Sequence, residues 1–243
     1  MTIPIPARAT GSHFYKYSNP EHLEWLKNIL LKHELYLPNP SELNDEDEGR
    51  PQLAPMSEDQ MVSFRCNEFN RQNQGLAPEA YEREAAKIRS EVHILGPDRC
   101  WRMLKDILFK GLEGFRIYSL SKRYDSQHLW EEYAANHSGY CMEFARENFL
   151  FSNAKEVTYG GPIEVGITDP GFRNGDFFYY KAPKWRNEEE VRLVRTPDGS
   201  TKVGIDPRWL TRLILGTQML DATRKSIREW AKQREPELAV VSE

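Results

Sequence analysis

Two serines and two glutamates occur in short polar patterns beside apolar runs. Ser119 and Ser121 are separated by one residue, and so are Glu188 and Glu190, which lead into the strand-like run 191–195. Residues two apart in a strand point to one face of a sheet, so each pair predicts two like groups side by side. Burial of such polar clusters costs free energy, so a structural or functional role is needed to explain them. If they carry chemistry, we expect the four side chains to meet in one cleft.

The two pairs suit different chemistry. Hydroxyls at the end of a strand can hold a ribose or position a carboxylate, whereas paired carboxylates raise each other's pKa. Plainer interpretations stay open: Ser119 and Ser121 suit an ordinary half-exposed strand, and Glu188 and Glu190 suit a charged strand edge that prevents aggregation. Arg192 shares the face of the glutamates and can pair with Glu190 under either interpretation.

Lys16 lies between Tyr15 and Tyr17 in the first strand-like segment. A lysine flanked by aromatic rings can bind phosphate, or it can be a surface residue whose stem covers apolar area. Both interpretations stay open for Lys16. Trp185, a few residues before the glutamates, can form an aromatic platform that excludes water from them.

The acidic run at 44–48 carries four carboxylates in five positions. A solvated acidic turn is one interpretation. The alternative is a metal-dependent nuclease or hydrolase, in which Asp45 and Glu48 join Glu188 and Glu190 to bind magnesium beside a phosphate. The run lacks the glycine and terminal glutamate of a calcium loop, the histidines show no helical ligand spacing, and no Walker loop occurs. No metal is therefore favoured.

Composition narrows the class of protein. Charged residues make up 29% and the hydrophobic set 39% of the 243 residues, which favours a folded chain over a disordered one. The net charge of −4 gives no general attraction for nucleic acid. No apolar run of about 18 residues occurs, so no membrane span is expected, and residues 1–10 do not resemble a secretory signal. Three widely separated cysteines indicate no disulfide framework, which makes the cytoplasm the expected compartment.

Helices and strands alternate irregularly, which predicts an α+β fold with a mixed, mainly antiparallel sheet. Strands are expected at 13–17, 34–37, 115–120, 140–144, 157–159, 190–195, 203–205 and 214–216. Helices are expected at 19–33, 79–93, 97–111, 127–136 and 222–232, with a mobile loop or short hairpin at 165–180 and a frayed tail after 232. We expect a single domain, 1–243, whose core of about 13–37 and 115–232 carries a helical insertion at about 58–112.

Several short motifs occur in a fixed order along residues 14–216. They are Tyr15-Lys16-Tyr17, Leu43-Asn44-Asp45 with Glu48, Ser119-Leu120-Ser121, Leu129-Trp130-Glu131-Glu132-Tyr133-Ala134, Gly139-Tyr140-Cys141-Met142-Glu143-Phe144, and Lys181 with Trp185-Arg186-Asn187-Glu188-Glu189-Glu190-Val191-Arg192. The ordered set resembles the bacterial domain-of-unknown-function family 2971. Glu46 and Asp47 replace the Pro-Phe of that family's pattern, and Glu132 replaces the histidine of its tryptophan helix. The family name implies no activity.

A basic residue on the first strand, a Ser-x-Ser strand and a Glu-x-Glu pair occur in an order similar to that of ADP-ribosyltransferases. This resemblance implies an ADP-ribosyltransferase-like core and NAD as a consumed substrate. It implies that Lys16 binds the phosphates or a ribose of NAD, and that Ser119 and Ser121 hold the ribose and its neighbours. It further implies that Glu190 is catalytic, since it would stabilise a cationic sugar, and that Glu188 orients the acceptor. Lys16 departs from the Arg or His that many such enzymes carry.

The same resemblance places further side chains at the NAD site. Tyr133 or Trp185 would form a platform for the nicotinamide, and Tyr15 and Tyr17 would flank Lys16 in that site. The acceptor would be a nucleic acid or a protein, as for a toxin or a phage-defence effector. A non-catalytic interaction protein, in which these residues are a folding framework, stays open beside this enzyme and the metal-dependent hydrolase. The sequence predicts no oligomeric state.

Overall fold

The computed structural model describes residues 6–7, 9–43, 49, 51–160, 164–196 and 200–243. Within these ranges the strands are β1 (His13–Ser18), β2 (Glu34–Tyr36), β3 (Gln52–Leu53), β4 (Arg116–Ser121), β5 (Tyr140–Ala145), β6 (Lys155–Glu156), β7 (Thr158–Tyr159), β8 (Glu164–Val165), β9 (Tyr180–Lys181), β10 (Glu190–Arg195), β11 (Lys202–Gly204), β12 (Leu210–Leu215) and β13 (Ala239–Ser242). The α-helices are α1 (Leu23–Lys32), α2 (Glu58–Gln72), α3 (Pro78–Leu95), α4 (Pro97–Leu112), α5 (Gln127–Glu132), α6 (Pro170–Asn174) and α7 (Asp221–Lys232). Short 3-10 helices occur at Pro20–His22, Pro40–Glu42, Phe151–Asn153, Asp176–Tyr179, Pro183–Glu188 and Pro207–Trp209. None of the helices in this part of the chain combines the length and the apolar character that a membrane span requires.

Seven strands form one open sheet in the order β13-β12-β5-β1-β4-β10-β6. Every neighbouring pair is antiparallel except β12 with β13, which run parallel. The predicted α+β class with a mainly antiparallel sheet is therefore confirmed. The strands expected at 115–120, 140–144 and 190–195 lie in this one sheet, because their β-branched and aromatic residues fit a pleated, half-buried surface.

One face of the sheet carries the largest hydrophobic core. Phe14, Tyr118 and Phe144 point to this face and pack with Leu26 of α1 and Ile227 of α7. All five side chains are at most 4% exposed. Burial of a large apolar side chain contributes roughly 1.5–3 kcal/mol, so this layer supplies much of the free energy that stabilises the fold.

The helices α2, α3 and α4 form a block with a small core of its own. Met61 and Val62 of α2 cluster there with Ile88 and Val92 of α3 and with Cys100 of α4. Partly buried residues of α2 and α4 also join a second core beside β4, and this contact holds the block to the sheet. The helices expected within 58–112 are therefore present.

The sheet opens between β1 and β4. β1 pairs with β5 along all six of its residues, whereas the pairing found between the described parts of β1 and β4 joins Tyr15 to Ser121 alone. Farther along β4, the amide of Ile117 donates instead to the main-chain oxygen of Pro38, at 2.9 Å. The two strands therefore diverge beyond Tyr15 and Ser121, and side chains from both face the gap.

The segment 165–180 differs from the expected mobile loop or hairpin. It contains α6 and the 3-10 helix Asp176–Tyr179, and Phe172, Phe177 and Phe178 are at most 6% exposed. These rings belong to the second core beside β4. The prediction was wrong because a cluster of aromatic side chains gains too much from burial to stay on a mobile loop.

Several element boundaries also differ from the prediction. Helix α5 ends at Glu132 and not at 136, because residues 135–137 all have positive φ angles, which a right-handed helix cannot contain. By contrast, strand β10 has the predicted bounds, Glu190–Arg195, and it follows a 3-10 helix. The tail does not fray as expected, since β13 pairs with β12 along the edge of the sheet.

Candidate active site

A pocket of about 450 Å³ lies where β1 and β4 diverge. This volume is typical of small-molecule sites. The predicted site residues in its walls are Lys16 of β1, Ser119 and Ser121 of β4, Tyr133 after α5, and Glu188 and Glu190 at the start of β10. Tyr15 and Tyr17 also line the pocket, whereas Trp185 does not.

The carboxylate of Glu190 is held by several donors. Arg192 donates from Nε to Oε1 at 2.6 Å and from Nη2 to Oε2 at 2.8 Å. Lys181 donates from Nζ to Oε2 at 3.1 Å, and the hydroxyl of Ser119 lies near enough to favour the charged form of this carboxylate, which lowers its pKa. Arg192 is fully buried, and it donates in addition to the main-chain oxygen of Phe178. A bidentate pair with a buried guanidinium fixes Glu190 in one orientation.

The carboxylate of Glu188 shares the same lysine. Lys181 donates to Oε2 of Glu188 at 2.6 Å, and the hydroxyl of Tyr133 donates to Oε1 at 2.6 Å. The hydroxyl of Ser121 donates to the main-chain oxygen of Glu188 at 2.9 Å, which ties the end of β4 to this turn. Lys181 therefore joins both buried glutamates, although the sequence assigned it no role of its own.

A left-handed residue makes the two glutamates face the same way. Glu188 ends the 3-10 helix Pro183–Glu188, and Glu189 follows with φ 44° and ψ 48°. The side chain of Glu189 points away to the surface, where Arg123 lies 3.4 Å from its carboxylate. The rule that residues two apart share a face applies within one strand, whereas Glu188 precedes the strand. The left-handed backbone at Glu189 explains why both buried glutamates still reach Lys181.

Burial and neighbouring charges both shift the pKa values of this cluster. Burial raises the pKa of Glu190 in spite of the nearby Lys181, and it lowers the pKa of Arg192 to about 9. Burial alone would lower the pKa of Lys181, but Glu190, Tyr133 and Glu188 outweigh it and raise that pKa. The cluster contains two carboxylates, one lysine and one arginine, so its formal charge is zero. Charges in a buried cluster have to balance closely, because an unpaired buried charge costs several kcal/mol.

Lys16 reaches the pocket from the opposite face of the sheet. Strand alternation places it on the face of Phe14, whereas Ser119 and Glu190 point to the other face. These residues share one pocket because the sheet is open between β1 and β4. The ammonium of Lys16 lies 5.2 Å from the centre of the Tyr118 ring, a distance at which the cation is attracted to the ring.

The ammonium of Lys16 differs from that of Lys181 in its contacts. No hydrogen bond or ion pair to it is found among the residues that the structure describes. Burial lowers its pKa to about 8, so the side chain is mostly protonated near neutral pH. A half-buried cation with unused donors is suited to bind a phosphate or another anion.

Tyr17 and Trp185 are held by other contacts. The hydroxyl of Tyr17 donates to the main-chain oxygen of Arg123 at 3.0 Å, and its ring meets Trp130 edge to face, with centroids 5.2 Å apart. The centre of the Trp185 ring lies 5.1 Å from the ammonium of Lys181, and Trp185 is not part of the pocket wall. Of the two expected aromatic platforms, Tyr133 is in the pocket and Trp185 is outside it.

Besides Lys181, sequence reasoning missed other pocket residues, and His22, Trp25 and Glu42 are the ones that a ligand could use. Trp25 is 44% exposed, which is unusual for so large a ring. The helical spacing of α1 could have predicted the exposure of Trp25. Leu26 and Leu30 mark the buried face of this helix, and Trp25 does not lie on that face. A tryptophan on the polar side of an amphipathic helix is a candidate for binding.

The metal-dependent alternative depends on residues that the structure does not describe. Asp45 and Glu48 both lie outside the described ranges. Among the residues inside those ranges, no group of three or more His, Cys, Asp or Glu side chains is placed to bind a metal ion. Lys181 and Arg192 already neutralise the two buried glutamates, which weakens the attraction of that pair for a cation.

Comparisons with protein-family models, with curated proteins and with solved structures found no significant match to this chain. The resemblances to family 2971 and to ADP-ribosyltransferases therefore stay predictions.

Proposed function

We propose that this chain is an NAD-consuming enzyme of the ADP-ribosyltransferase type, with Glu190 as its catalytic carboxylate. The observation that carries the proposal is the pocket in which Lys16, Ser119 and Glu190 meet, although they come from three different strands. A carboxylate held in one orientation near an ammonium with unused donors suits a substrate that has both a glycosidic bond and a phosphate. NAD has both groups.

The chemistry of the pocket walls fits NAD. Lys16 supplies positive charge for the diphosphate, and the ring of Tyr133 supplies an aromatic surface for the nicotinamide. Ser119 lies near Glu190 in the pocket wall, so a ribose hydroxyl bound at Ser119 would lie beside the catalytic carboxylate. Ser121 is less available to a ligand, because its hydroxyl donates to the main chain of Glu188.

Glu190 stabilises the transition state in this proposal. When the bond between the nicotinamide nitrogen and ribose C1′ breaks, the bonding pair stays on nicotinamide, which leaves as a neutral base. Positive charge then develops on C1′ and the ring oxygen of the ribose, and a fixed carboxylate in a dry pocket stabilises it by roughly 3–4 kcal/mol. An oxygen or nitrogen atom of the acceptor bonds to C1′, and its proton passes to Glu188 or to water.

A non-catalytic framework is the alternative that one observation favours. The carboxylate of Glu190 accepts hydrogen bonds from Arg192 and Lys181, and a carboxylate that serves only to hold the fold would have such partners too. Under this alternative, Glu190 and its partners affect stability, and NAD is not consumed. The metal-dependent hydrolase has no comparable support among the described residues.

We further propose a macromolecular acceptor, a nucleic acid or a protein, as for a toxin or phage-defence effector in the cytoplasm. The support for this part is the resemblance to ADP-ribosyltransferases. Transfer of labelled ADP-ribose from NAD to macromolecules of a cell extract, followed by nuclease or protease digestion, tests it and separates the two kinds of acceptor.

Release of free nicotinamide from NAD tests the proposed function. The purified chain is incubated with NAD, with and without cell extract, and nicotinamide is quantified by chromatography. We expect release by the wild type and a KM for NAD that is at least about tenfold higher for Lys16→Ala, which loses a charge-assisted phosphate contact. Lys225→Ala, an exposed lysine on α7, is the matched control and should behave as the wild type. Absence of nicotinamide release above the rate in buffer contradicts the proposal, and magnesium-dependent cleavage of nucleic acid would favour the hydrolase.

A further inference from the structure

A row of aromatic rings stands at the outer end of the pocket. His22 and Trp25 stack with their ring centroids 4.1 Å apart and their planes within 6° of parallel. Trp25 also stacks with Tyr36, at 5.2 Å and 26°. His22 ends a 3-10 helix and Trp25 lies three residues on, in the first turn of α1, so the helical spacing places their side chains together.

The position of this row relative to the polar groups gives the pocket two different ends. His22 and Trp25 line the pocket together with Lys16, and Trp25 is 44% exposed. At the inner end, Glu188 and Glu190 are at most 5% exposed. This arrangement suits a nucleotide. The aromatic surface at the open end matches the base, the cation of Lys16 matches the phosphate, and the fixed carboxylates inside match the sugar.

Glu42 adds a hydrogen-bond acceptor beside the ring row. Its Oε2 accepts from the hydroxyl of Tyr36 at 2.6 Å, and its Oε1 accepts from the main-chain amide of Asn39 at 3.2 Å. These bonds fix the carboxylate, which also lines the pocket. A carboxylate accepts only, and each oxygen has a second lone pair, so it favours a base that presents an amino group.

We propose that the outer end of the pocket binds an amino-bearing purine base, above all adenine, against the His22–Trp25 pair, with its phosphates directed to Lys16. This inference names a subsite for the adenine half of the substrate and rests on the proposed function for the identity of that substrate as NAD. Base recognition itself requires no turnover, so it is measured separately. Stacking on an aromatic side chain strengthens the binding of a base enough to be detected by substitution.

Calorimetric titration of the full chain with adenosine monophosphate (AMP) tests the subsite. We expect Trp25→Ala to weaken AMP binding at least about tenfold and Trp25→Phe to restore most of it, because the phenyl ring keeps a stacking surface. The matched control is Trp209→Ala, since Trp209 packs on Phe149 and is not part of the pocket wall. This variant should bind AMP as the wild type does. Nicotinamide mononucleotide, which lacks the purine, should bind wild type and Trp25→Ala alike.

The role of Glu42 is tested by the choice of base. Inosine monophosphate carries an oxygen where AMP carries its amino group, so the wild type should prefer AMP. Glu42→Gln is isosteric but presents an amide in place of a carboxylate, and we expect this variant to lose that preference. An unchanged preference for AMP in Glu42→Gln overturns the assignment of the amino group to this residue.

The outcomes separate this inference from the proposed function. Equal AMP binding by wild type and Trp25→Ala, or equal loss in Trp25→Ala and Trp209→Ala, overturns the subsite. Nicotinamide release without detectable AMP binding overturns the subsite and leaves the proposed function in place. Binding of AMP that depends on Trp25, without nicotinamide release, supports the subsite and rejects NAD consumption.

Discussion

Lys16 and Lys181 are two lysines of one pocket with different surroundings. Lys181 lies 2.6 Å from a carboxylate oxygen of Glu188 and 3.1 Å from one of Glu190, so it is a fixed cation that neutralises them. Lys16 contacts the ring of Tyr118, and burial lowers its pKa to about 8. These surroundings favour a structural role for Lys181, and they support the proposal that Lys16 binds an anionic substrate.

The activity of the protein toward NAD is predicted to fall above pH 8. Lys16 is protonated below its pKa of about 8, and only the protonated form attracts a phosphate. The value of kcat/KM should therefore fall as the pH rises through that pKa and level off near the value of Lys16→Ala, which a profile from about pH 6 to about pH 10 measures. Lys16→Arg stays charged over this range and should remove the break. A flat wild-type profile, or the same break in both proteins, contradicts the role of Lys16.

At the scale of single residues, spacing predicted the pairs but not their partners. The Glu-x-Glu pattern indicated that Glu188 and Glu190 lie together, and both do accept from Lys181. The pattern could not identify Lys181 as that partner, because the contact depends on how β9 and the following 3-10 helix fold back. It also could not place Lys16, since strand alternation alone puts that residue on the face opposite Ser119.

The turn between the 3-10 helix and β10 depends on the backbone of Glu189. A left-handed conformation costs an ordinary residue roughly 1–2 kcal/mol, and glycine adopts it freely. Glu189→Gly should therefore raise the free energy of unfolding by up to about 1 kcal/mol, and the exposed contact with Arg123 that it loses is worth little. Glu189→Val, which is β-branched, should lower it by roughly 1–2 kcal/mol. Urea denaturation of both variants measures the difference, and equal stabilities would show that the backbone at Glu189 carries no strain.

Helix α5 is predicted to depend on Trp130. This ring is 1% exposed, its indole N–H donates to the main-chain oxygen of Tyr124 at 3.1 Å, and His137 stacks on it at 5.9 Å. Trp130→Ala should lower the free energy of unfolding by roughly 3–5 kcal/mol, because it leaves a large cavity. Phe149→Ala, at a ring that is 70% exposed, is the control and should stay within about 0.5 kcal/mol of the wild type. Similar costs for the two changes in chemical denaturation would contradict the core position of Trp130.

At the scale of elements, local patterns predicted the start of helices better than their ends. Asn19 caps the 3-10 helix that leads into α1, and Ser126 caps α5, as their side-chain types indicate. The end of α5 was placed too late, because the left-handed residues 135–137 include no glycine and so give no signal. The aromatic segment 165–180 was misassigned for a different reason, since its structure depends on burial in the core beside β4.

The whole molecule consists of a long sheet and a helical block that is attached at one side. Within the sheet, β5 lies between β1 and β12 and pairs with both. The helices α2 and α3 pack mainly on each other, and many of their side chains are exposed. Such a distribution of contacts predicts that the block opens more easily than the centre of the sheet.

Amide hydrogen exchange should reveal this difference in local stability. Exchange monitored by mass spectrometry is expected to be at least about tenfold faster in α3 than in β5, because local opening of α3 breaks fewer buried contacts. The comparison uses buried residues of α3, such as Ile88 and Val92, because they are as inaccessible to solvent as the residues of β5. A difference in exchange rate then reflects local opening and not exposure. Equal protection of α3 and β5 would indicate that the block and the sheet unfold as one unit.

At this largest scale, composition and alternation predicted the fold class but not the order of strands. β1 lies between β5 and β4, although β4 and β5 are separated from it along the chain by the whole helical block. Such pairing is set by contacts between distant residues, and no local pattern specifies it. The opening between β1 and β4, which creates the pocket, was for the same reason not predictable from the sequence.

The central claim is that the charge of Glu190 acts on the reaction, and two neighbouring carboxylates allow a direct test. Glu190 is buried in the pocket, whereas Glu189 points to the surface. The measurement is kcat/KM for nicotinamide release by Glu190→Gln and Glu189→Gln, with AMP titration to establish that each variant has a folded pocket.

We predict a loss of about 10²–10³ for Glu190→Gln with AMP binding retained, because the variant keeps the size of the side chain but loses the charge that stabilises the cationic sugar. Glu189→Gln should match the wild type. Full activity in Glu190→Gln, or an equal loss in both variants, would contradict the catalytic role of Glu190 and favour its role as the partner of Arg192 in the fold.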